Sequence, residues 1–285
     1  MGSHESDANH LPTPVTEAGR LGLDTLLAKP RSSVIALDFD GTLAPIVPDP
    51  ERARAHPDAV RALTALAPKV ASIAVITGRP AEVAVRYGGF GGVAGLEHLV
   101  VLGQYGAERW DAASGKLTAP EPPAGIAAVR AELPGVLAAA GSSAEGAWIE
   151  DKGRAVAVHT RRAVAPQSAF EALRAPLTDL ATRHALIVEP GRYVLELRPP
   201  GVDKGVALRE YVREVGAECV LYAGDDLGDL PAYAAVESLR ASGTPGLLVC
   251  SGSDEVPELR ERADVVVDGP AGVVRLLSAA AGSLR

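Results

Sequence analysis

Val34-Ile35-Ala36-Leu37-Asp38-Phe39-Asp40-Gly41-Thr42-Leu43 is the stretch from which the rest of the chain can be read. Four aliphatic residues end abruptly in two carboxylates two positions apart, followed by a glycine. A short unbroken apolar run is the pattern of a strand buried on both faces. In an open α/β sheet, reactive groups collect beyond the carboxyl ends of the strands. Gly41 lets the chain turn sharply there. Asp38 and Asp40 can therefore reach one site, where they repel each other unless a cation or a shared proton intervenes. A hard divalent ion with oxygen ligands, Mg²⁺, satisfies such a pair. A carboxylate so placed can also act as a nucleophile, forming an aspartyl phosphate.

The same punctuation recurs along the chain. Ser72–Ile76, Leu99–Leu102, Cys219–Ala223, Gly246–Val249 and Asp264–Val267 are further apolar runs. Between them lie segments of helical spacing, such as Val60, Leu63, Leu66 and Ala67. Strands joined by helical crossovers predict an α/β fold with a Rossmann-like parallel sheet. The middle differs. Gly115–Ala124 is rich in proline and reads as a boundary. A helix over Gly125–Ala140, broken near Pro134, precedes a hairpin over Ala147–His159. A second helix, Pro166–His184, precedes a second hairpin made by Ala185–Val188 and Tyr193–Arg198. Helix plus hairpin, twice, predicts an inserted α+β domain. The expected division is a flexible polar leader over 1–25, a core over 26–115 and 200–285, and an insert over 116–199.

Composition narrows the function classes. The 285 residues are 47% hydrophobic and 22% charged, which is globular rather than disordered. Aromatics are only 4%, so the core must be aliphatic. The net charge of −8 argues against nucleic acid or an anionic membrane as partner. No apolar run of the sequence reaches the roughly 18 residues of a membrane span. Residues 1–20 lack the basic and apolar regions of a secretory signal. The two cysteines, Cys219 and Cys250, sit in or beside apolar runs without metal spacing and fit packing in a reducing cytoplasm. Trp110 and Trp148 are read as packing residues.

Three more motifs join Asp38 and Asp40. Thr77-Gly78-Arg79 follows an apolar run and offers a hydroxyl and backbone N–H groups at a helix start, an anion site. Lys204, between Asp203 and Gly205, opens a helix over Val206–Val215 and supplies a cation. Asp225, Asp226 and Asp229 follow the run Val220-Leu221-Tyr222-Ala223 and again suggest a metal. In this order and at these element ends, the four motifs resemble the haloacid dehalogenase superfamily of phosphotransferases. The insert resembles that superfamily's C2-type cap.

The insert narrows the resemblance. Glu150-Asp151-Lys152, His159-Thr160-Arg161 and the string Gly191 to Pro199 resemble cap segments of the trehalose-6-phosphate phosphatases of bacterial type. So do DFDGTLAPIV from Asp38 and LRPPGVDKGVAL from Leu197, and the likeness runs over roughly residues 30 to 275. It implies Mg²⁺-dependent hydrolysis of trehalose 6-phosphate to trehalose and phosphate. Asp38 would be the nucleophile and Asp40 the acid and base. Mg²⁺ would be held by the Asp38 carboxylate, the Asp40 backbone carbonyl and Asp225, with Asp226 and Asp229 behind it. Thr77 and Lys204 would hold phosphate oxygens, beside Gly41, Gly78 and Arg79. Glu150, Lys152, Arg161, Arg192 and Glu196 would contact the sugars, alternation placing Glu150 with Lys152 and Arg192 with Glu196 on a common face. The resemblance also implies a cytoplasmic monomer paired with a trehalose-6-phosphate synthase.

The chain departs from the family at Gly228 and Leu230, which stand where a Thr and a Glu are usual, at Val194 in place of Asn, and at Tyr105-Gly106 in place of His-Gly, followed by Glu108. A sucrose-phosphate or mannosyl-phosphoglycerate phosphatase shares the core motifs. A non-catalytic carbohydrate-binding homologue would lack Asp38, Asp40 or Lys204, and all three are present.

Overall fold

A computed structural model describes residues 10–191, 193–252 and 257–284. Arg192 lies outside the described residues. The chain divides into two compact units, one made of residues up to Ala119 together with Asp203 onward, the other Pro120–Val202. The sequence boundaries were expected at 115/116 and 199/200, a few residues earlier.

In chain order the first unit begins with α1 (Glu17–Ala28), β1 (Ser33–Leu37), α2 (Ala59–Leu66), β2 (Ser72–Ile76), α3 (Ala81–Gly88), β3 (Leu99–Gly103), β4 (Glu108–Asp111) and β5 (Lys116–Thr118). The second unit contributes α4 (Ala124–Ala140), β6 (Trp148–Asp151), β7 (Val156–His159), α5 (Pro166–Arg183), β8 (Ile187–Gly191) and β9 (Val194–Arg198). The first unit resumes with α6 (Lys204–Val215), β10 (Cys219–Gly224), α7 (Leu230–Ala241), β11 (Gly246–Ser251), α8 (Pro257–Arg262), β12 (Val265–Val267) and α9 (Gly269–Ser283).

The first unit is an eight-stranded sheet in the order β12-β11-β10-β1-β2-β3-β4-β5. Strands β12 to β3 in that order pair parallel, and β4 and β5 add an antiparallel edge. Alternate side chains of β1, β2, β3, β10 and β11 enter opposite cores. Ile35, Leu37, Ile73, Val75, Leu221 and Val249 meet α2 and α9 on one face. Val34, Ala36, Ile76, Val220, Tyr222 and Leu248 meet α6 and α7 on the other. That double burial is why these strands read as unbroken apolar runs. The chain runs from β1 outward to β2 on one side and enters β10 on the other. Strand order therefore reverses beside β1, the place where open α/β sheets form a crevice.

Two expectations need correction. The segment expected as a flexible leader over 1–25 is helical from Glu17. Thr16 caps α1 by accepting from Gly19 N at 2.9 Å. Gly19, Gly22 and Leu26 are buried. A Cβ on Gly22 would lie 1.9 Å from the Gly246 carbonyl oxygen, so the helix approaches β11 almost backbone to backbone. Polar composition hid this, because a face of glycines carries no hydrophobic signal. The hairpin of β4 and β5 was also missed, being short and only partly apolar; its Trp110 is buried as a packing residue.

The second unit is a four-stranded antiparallel sheet, β6-β7-β9-β8, backed by α4 and α5. Val156, Val158, Leu195 and Leu197 face those helices. The opposite face carries Glu150, Ala157, Glu196 and Glu189 in one register row. α4 continues through Pro134, although proline lacks a donor and crowds the carbonyl of Arg130. Its flanking Val129 and Leu133 are anchored in the core. The segment Ala124–Ala144 has the length and apolar composition of a membrane span. Ile126, Val129 and Leu133 on it belong to this unit's own core, and Arg130 and Glu132 make ion pairs with Asp151 and Arg183.

Candidate active site

The crevice beside β1 gathers most of the predicted residues of the first unit. Asp38 is the first residue beyond β1, and its N–H donates to the Ala223 carbonyl of β10 at 2.9 Å. This bond sets the end of β1 against the end of β10, where Asp225 and Asp226 follow. Lys204 opens α6, whose N-cap Asp203 accepts from Val206 N at 2.7 Å. The buried Lys204 ammonium lies 2.7 Å from Asp38 Oδ1 and 2.7 Å from Asp229 Oδ1.

Asp229 is the hub beneath this pair. Its Oδ1 also accepts from the Tyr222 hydroxyl at 2.5 Å, and its Oδ2 accepts from Asp225 N and Asp226 N at 2.9 and 3.1 Å. Gly224 leaves room for it: a Cβ there would lie 2.3 Å from the Asp229 carboxyl carbon. Asp226 caps the short turn after β10 by accepting from Gly228 N at 2.9 Å. Gly41, at φ 77°, turns the chain past Asp40, and a Cβ on it would lie 1.9 Å from Asp225 Oδ2. The Ser251 hydroxyl fixes this turn by donating to the Gly41 carbonyl at 2.6 Å.

The electrostatics are those of a cation site. Asp38, Asp225 and Asp229 present oxygens that all lie within 4.8 Å of one another, and all three residues are buried. Burial pushes the Asp38 carboxyl well above the usual carboxylate range, Lys204 opposes it, and Asp229 and Asp226 add to it. Burial, then the charges of Asp38, Asp229 and Asp226, push Asp225 up to about 10. Asp226 is raised as well, by burial first. Burial alone would lower Lys204, but Asp229 and Asp38 outweigh it and hold it well above its ordinary value. One ammonium does not balance so many carboxylates, so burial and mutual repulsion favour the protonated forms of Asp38 and Asp225 unless further positive charge enters the crevice. Oxygen donors of this kind fit a hard divalent ion. Lys204, Tyr222 and two backbone N–H groups take the oxygens of Asp229.

Thr77 and Arg79 stand one strand away, beyond β2. Thr77 is buried; its N–H donates to the Leu102 carbonyl at 3.0 Å, and its Oγ1 accepts from Arg79 N at 3.1 Å. Arg79 grips Asp40: Nε and Nη2 donate to Oδ2 and Oδ1 at 2.6 and 2.7 Å. The Asp40 side chain is partly exposed, unlike the buried triad, and is held by Arg79.

The predicted sugar contacts lie in the second unit. Lys152 pairs with the buried Glu196, and Glu150 with His159 Nε2 at 2.7 Å. Lys152 N donates to Ala155 O at 3.0 Å, so the β6–β7 pairing continues past Asp151 and keeps Lys152 on the face of Glu150. Arg161 is exposed on the turn after β7. Sequence reasoning missed Tyr222, Arg198 and Glu189. A tyrosine inside a fully buried strand was the signal for Tyr222, since a buried phenol needs a partner. Arg198 pairs with Glu189 at 2.7 Å across β9 and β8.

A family model described as trehalose-phosphatase matches residues 36–264. A Mycobacterium avium protein named trehalose-phosphate phosphatase is 36% identical over 235 residues, which are 76% of this chain and 55% of that protein. The chain therefore spans about half the length of that curated relative. Among solved structures, the C-terminal domain of the C. albicans trehalose-6-phosphate phosphatase superposes with a TM-score of 0.76 at 22% identity, over 97% of this chain and 100% of that one, a likeness of fold. The Aspergillus fumigatus trehalose-6-phosphate phosphatase gives 0.64 at 26% identity, over 95% of this chain and 100% of that one.

Proposed function

From the premise that this chain belongs to the trehalose-phosphatase family, we propose that it hydrolyses trehalose 6-phosphate to trehalose and inorganic phosphate, with Mg²⁺ as cofactor. The observation that carries the reading is the buried Lys204 bridging Asp38 and Asp229, with Asp225 against the same group. A sheet-edge ion pair without chemistry would not keep three carboxylates so close and so dry.

Asp38 attacks phosphorus, forming an aspartyl phosphate as the bond to the sugar 6-oxygen breaks. Asp40 gives that oxygen its proton. In the second half, Asp40 takes a proton from water as the water attacks phosphorus, and the bond to Asp38 breaks to release phosphate. Lys204 holds the Asp38 carboxylate and a phosphoryl oxygen, and the Thr77 hydroxyl and Gly78 N–H hold others, aligning phosphorus for in-line attack. Arg79 holds Asp40 through one N–H to each oxygen, which leaves each oxygen a second lone pair for the proton transfers. Asp38, Asp225 and the Asp40 backbone carbonyl would hold Mg²⁺, whose charge would offset the repulsion between nucleophile and phosphate. Asp226 and Asp229 set these groups from behind. Gly41 shapes the turn that brings them together.

Glu150, Lys152 and Glu196 share one sheet face and present both signs of charge to sugar hydroxyls, which supports disaccharide recognition. Arg161 and Arg192 are proposed to join them. The reading extends to a cytoplasmic monomer supplied by a trehalose-6-phosphate synthase. The test is phosphate release from trehalose 6-phosphate, sucrose 6-phosphate and mannosyl phosphoglycerate, with Mg²⁺ and with EDTA. Trehalose 6-phosphate should be hydrolysed far faster than the others and only with metal. Equal rates on all three would refute the substrate assignment.

A further inference from the structure

We propose that the left-handed turn Gln104–Gly106, braced by Glu108, is the template that sets the Thr77-Gly78-Arg79 loop for binding phosphate, an inference that rests on the phosphatase reading. β3 ends at Gly103, where a Cβ would lie 2.3 Å from Ala81 N. The next three residues all have positive φ: 47° at Gln104, 60° at Tyr105 and 97° at Gly106. Two successive non-glycine residues in that region persist only where the surroundings over-determine them.

The conformation turns two successive N–H groups onto the loop. Gln104 N donates to the Arg79 carbonyl at 2.8 Å, and Tyr105 N donates to the Thr77 carbonyl at 2.9 Å. Both ends of the three-residue loop are thereby held. Its middle is covered by the Tyr105 ring: a Cβ on Gly78 would lie 2.8 Å from the phenol oxygen. Glu108 then locks the turn. Its Oε1 accepts from Gln104 Nε2 at 2.8 Å, and its Oε2 accepts from Ala81 N at 2.8 Å. Ala81 opens α3, whose N-cap is Pro80 with no side-chain capping bond. One carboxylate thus ties the strained turn to the helix that follows the loop and fills a helix-end donor. A loop fixed before phosphate arrives has less freedom to lose on binding. The same clamp fixes the backbone of Arg79, and through its guanidinium the place of Asp40.

The experiment uses the full chain with Mg²⁺, reading kcat and KM on trehalose 6-phosphate, the affinity for orthovanadate, and the thermal midpoint. Glu108→Gln removes the charge from both bonds and replaces one acceptor oxygen with an NH₂ group. It should lower kcat/KM and weaken vanadate about tenfold to a hundredfold, with most of the loss in KM. Gln104→Gly accepts the left-handed backbone without a brace, so adding it to Glu108→Gln should restore most of the vanadate affinity. Should Glu108→Gln not fold, Gln104→Ala cuts the same link and should weaken vanadate in the same sense. Unchanged vanadate affinity in Glu108→Gln or in Gln104→Ala, or losses that simply add in the double variant, would overturn the inference. Wild-type protein that binds vanadate yet hydrolyses no sugar phosphate would count against the function, while the clamp would still be judged by the vanadate affinities.

Discussion

Stripping divalent cations should make this protein lose stability as pH rises, and the triad sets by how much. Asp225 keeps its proton in the folded chain up to about 10, whereas its ordinary value is 3.8. Above about pH 4 the unfolded chain has released that proton and the folded chain has not. The folded state therefore binds more protons, and its stability falls through the window from about 4 to about 10. One retained proton makes the loss on the order of 3 kcal/mol between about pH 6 and 8. Asp38, also raised by burial, adds to the same slope. Lys204 is raised above its ordinary 10.5, so it stays charged in both states and does not offset the slope below that pH. Urea unfolding in EDTA at several pH values should show a falling midpoint. Mg²⁺ should raise the midpoint, by about 2.7 kcal/mol at a hundredfold excess over its Kd, and flatten the pH dependence. Asp225→Asn should reduce the slope without abolishing it, since Asp38 and Asp226 are raised as well, and should remove most of the Mg²⁺ response. A metal-free midpoint independent of pH over this range would refute the reasoning.

Three further outcomes are expected. Tyr222→Phe removes a charge-assisted hydrogen bond to Asp229 without leaving a cavity; it should reduce kcat about tenfold, measured by phosphate release, while far-UV circular dichroism stays unchanged. Asp38→Asn should stop turnover yet still bind trehalose 6-phosphate by calorimetry, and a variant that kept turning over would remove Asp38 from the chemistry. Gly22→Ala drives a methyl group into the Gly246 carbonyl and should cost about 1–3 kcal/mol in urea unfolding, with faster amide exchange in α1; wild-type stability would show that the helix is not packed there.

The inner strands of the parallel sheet were legible because each is buried on both faces and ends in a change of chemistry, as Leu37 to Asp38 and Ala223 to Asp225 show. The carboxylates and Lys204 were legible for the same reason, each standing at an element end. What stayed hidden is pairing. Nothing local in the sequence says that Arg79 closes on Asp40, that Glu108 reaches both Gln104 and Ala81, or that Tyr222 points beneath Lys204. These depend on which strands become neighbours. The glycine face of α1 was hidden for a different reason: close backbone approach leaves no side chain to read.

The pairing of β1 with β10 has a consequence for synthesis. On the ribosome, β1 and β2 emerge long before β10, and the whole second unit is made in between. During that interval one edge of β1, entirely apolar from Val34 to Leu37, has no partner strand, and such edges invite association with other nascent chains. The inserted unit has its own core and can fold while the sheet waits. Closing so long a connection costs little extra free energy, because that cost grows only with the logarithm of length. What the insertion lengthens is the period of exposure, and a chaperone that shields the β1 edge during elongation should raise the yield of soluble chain.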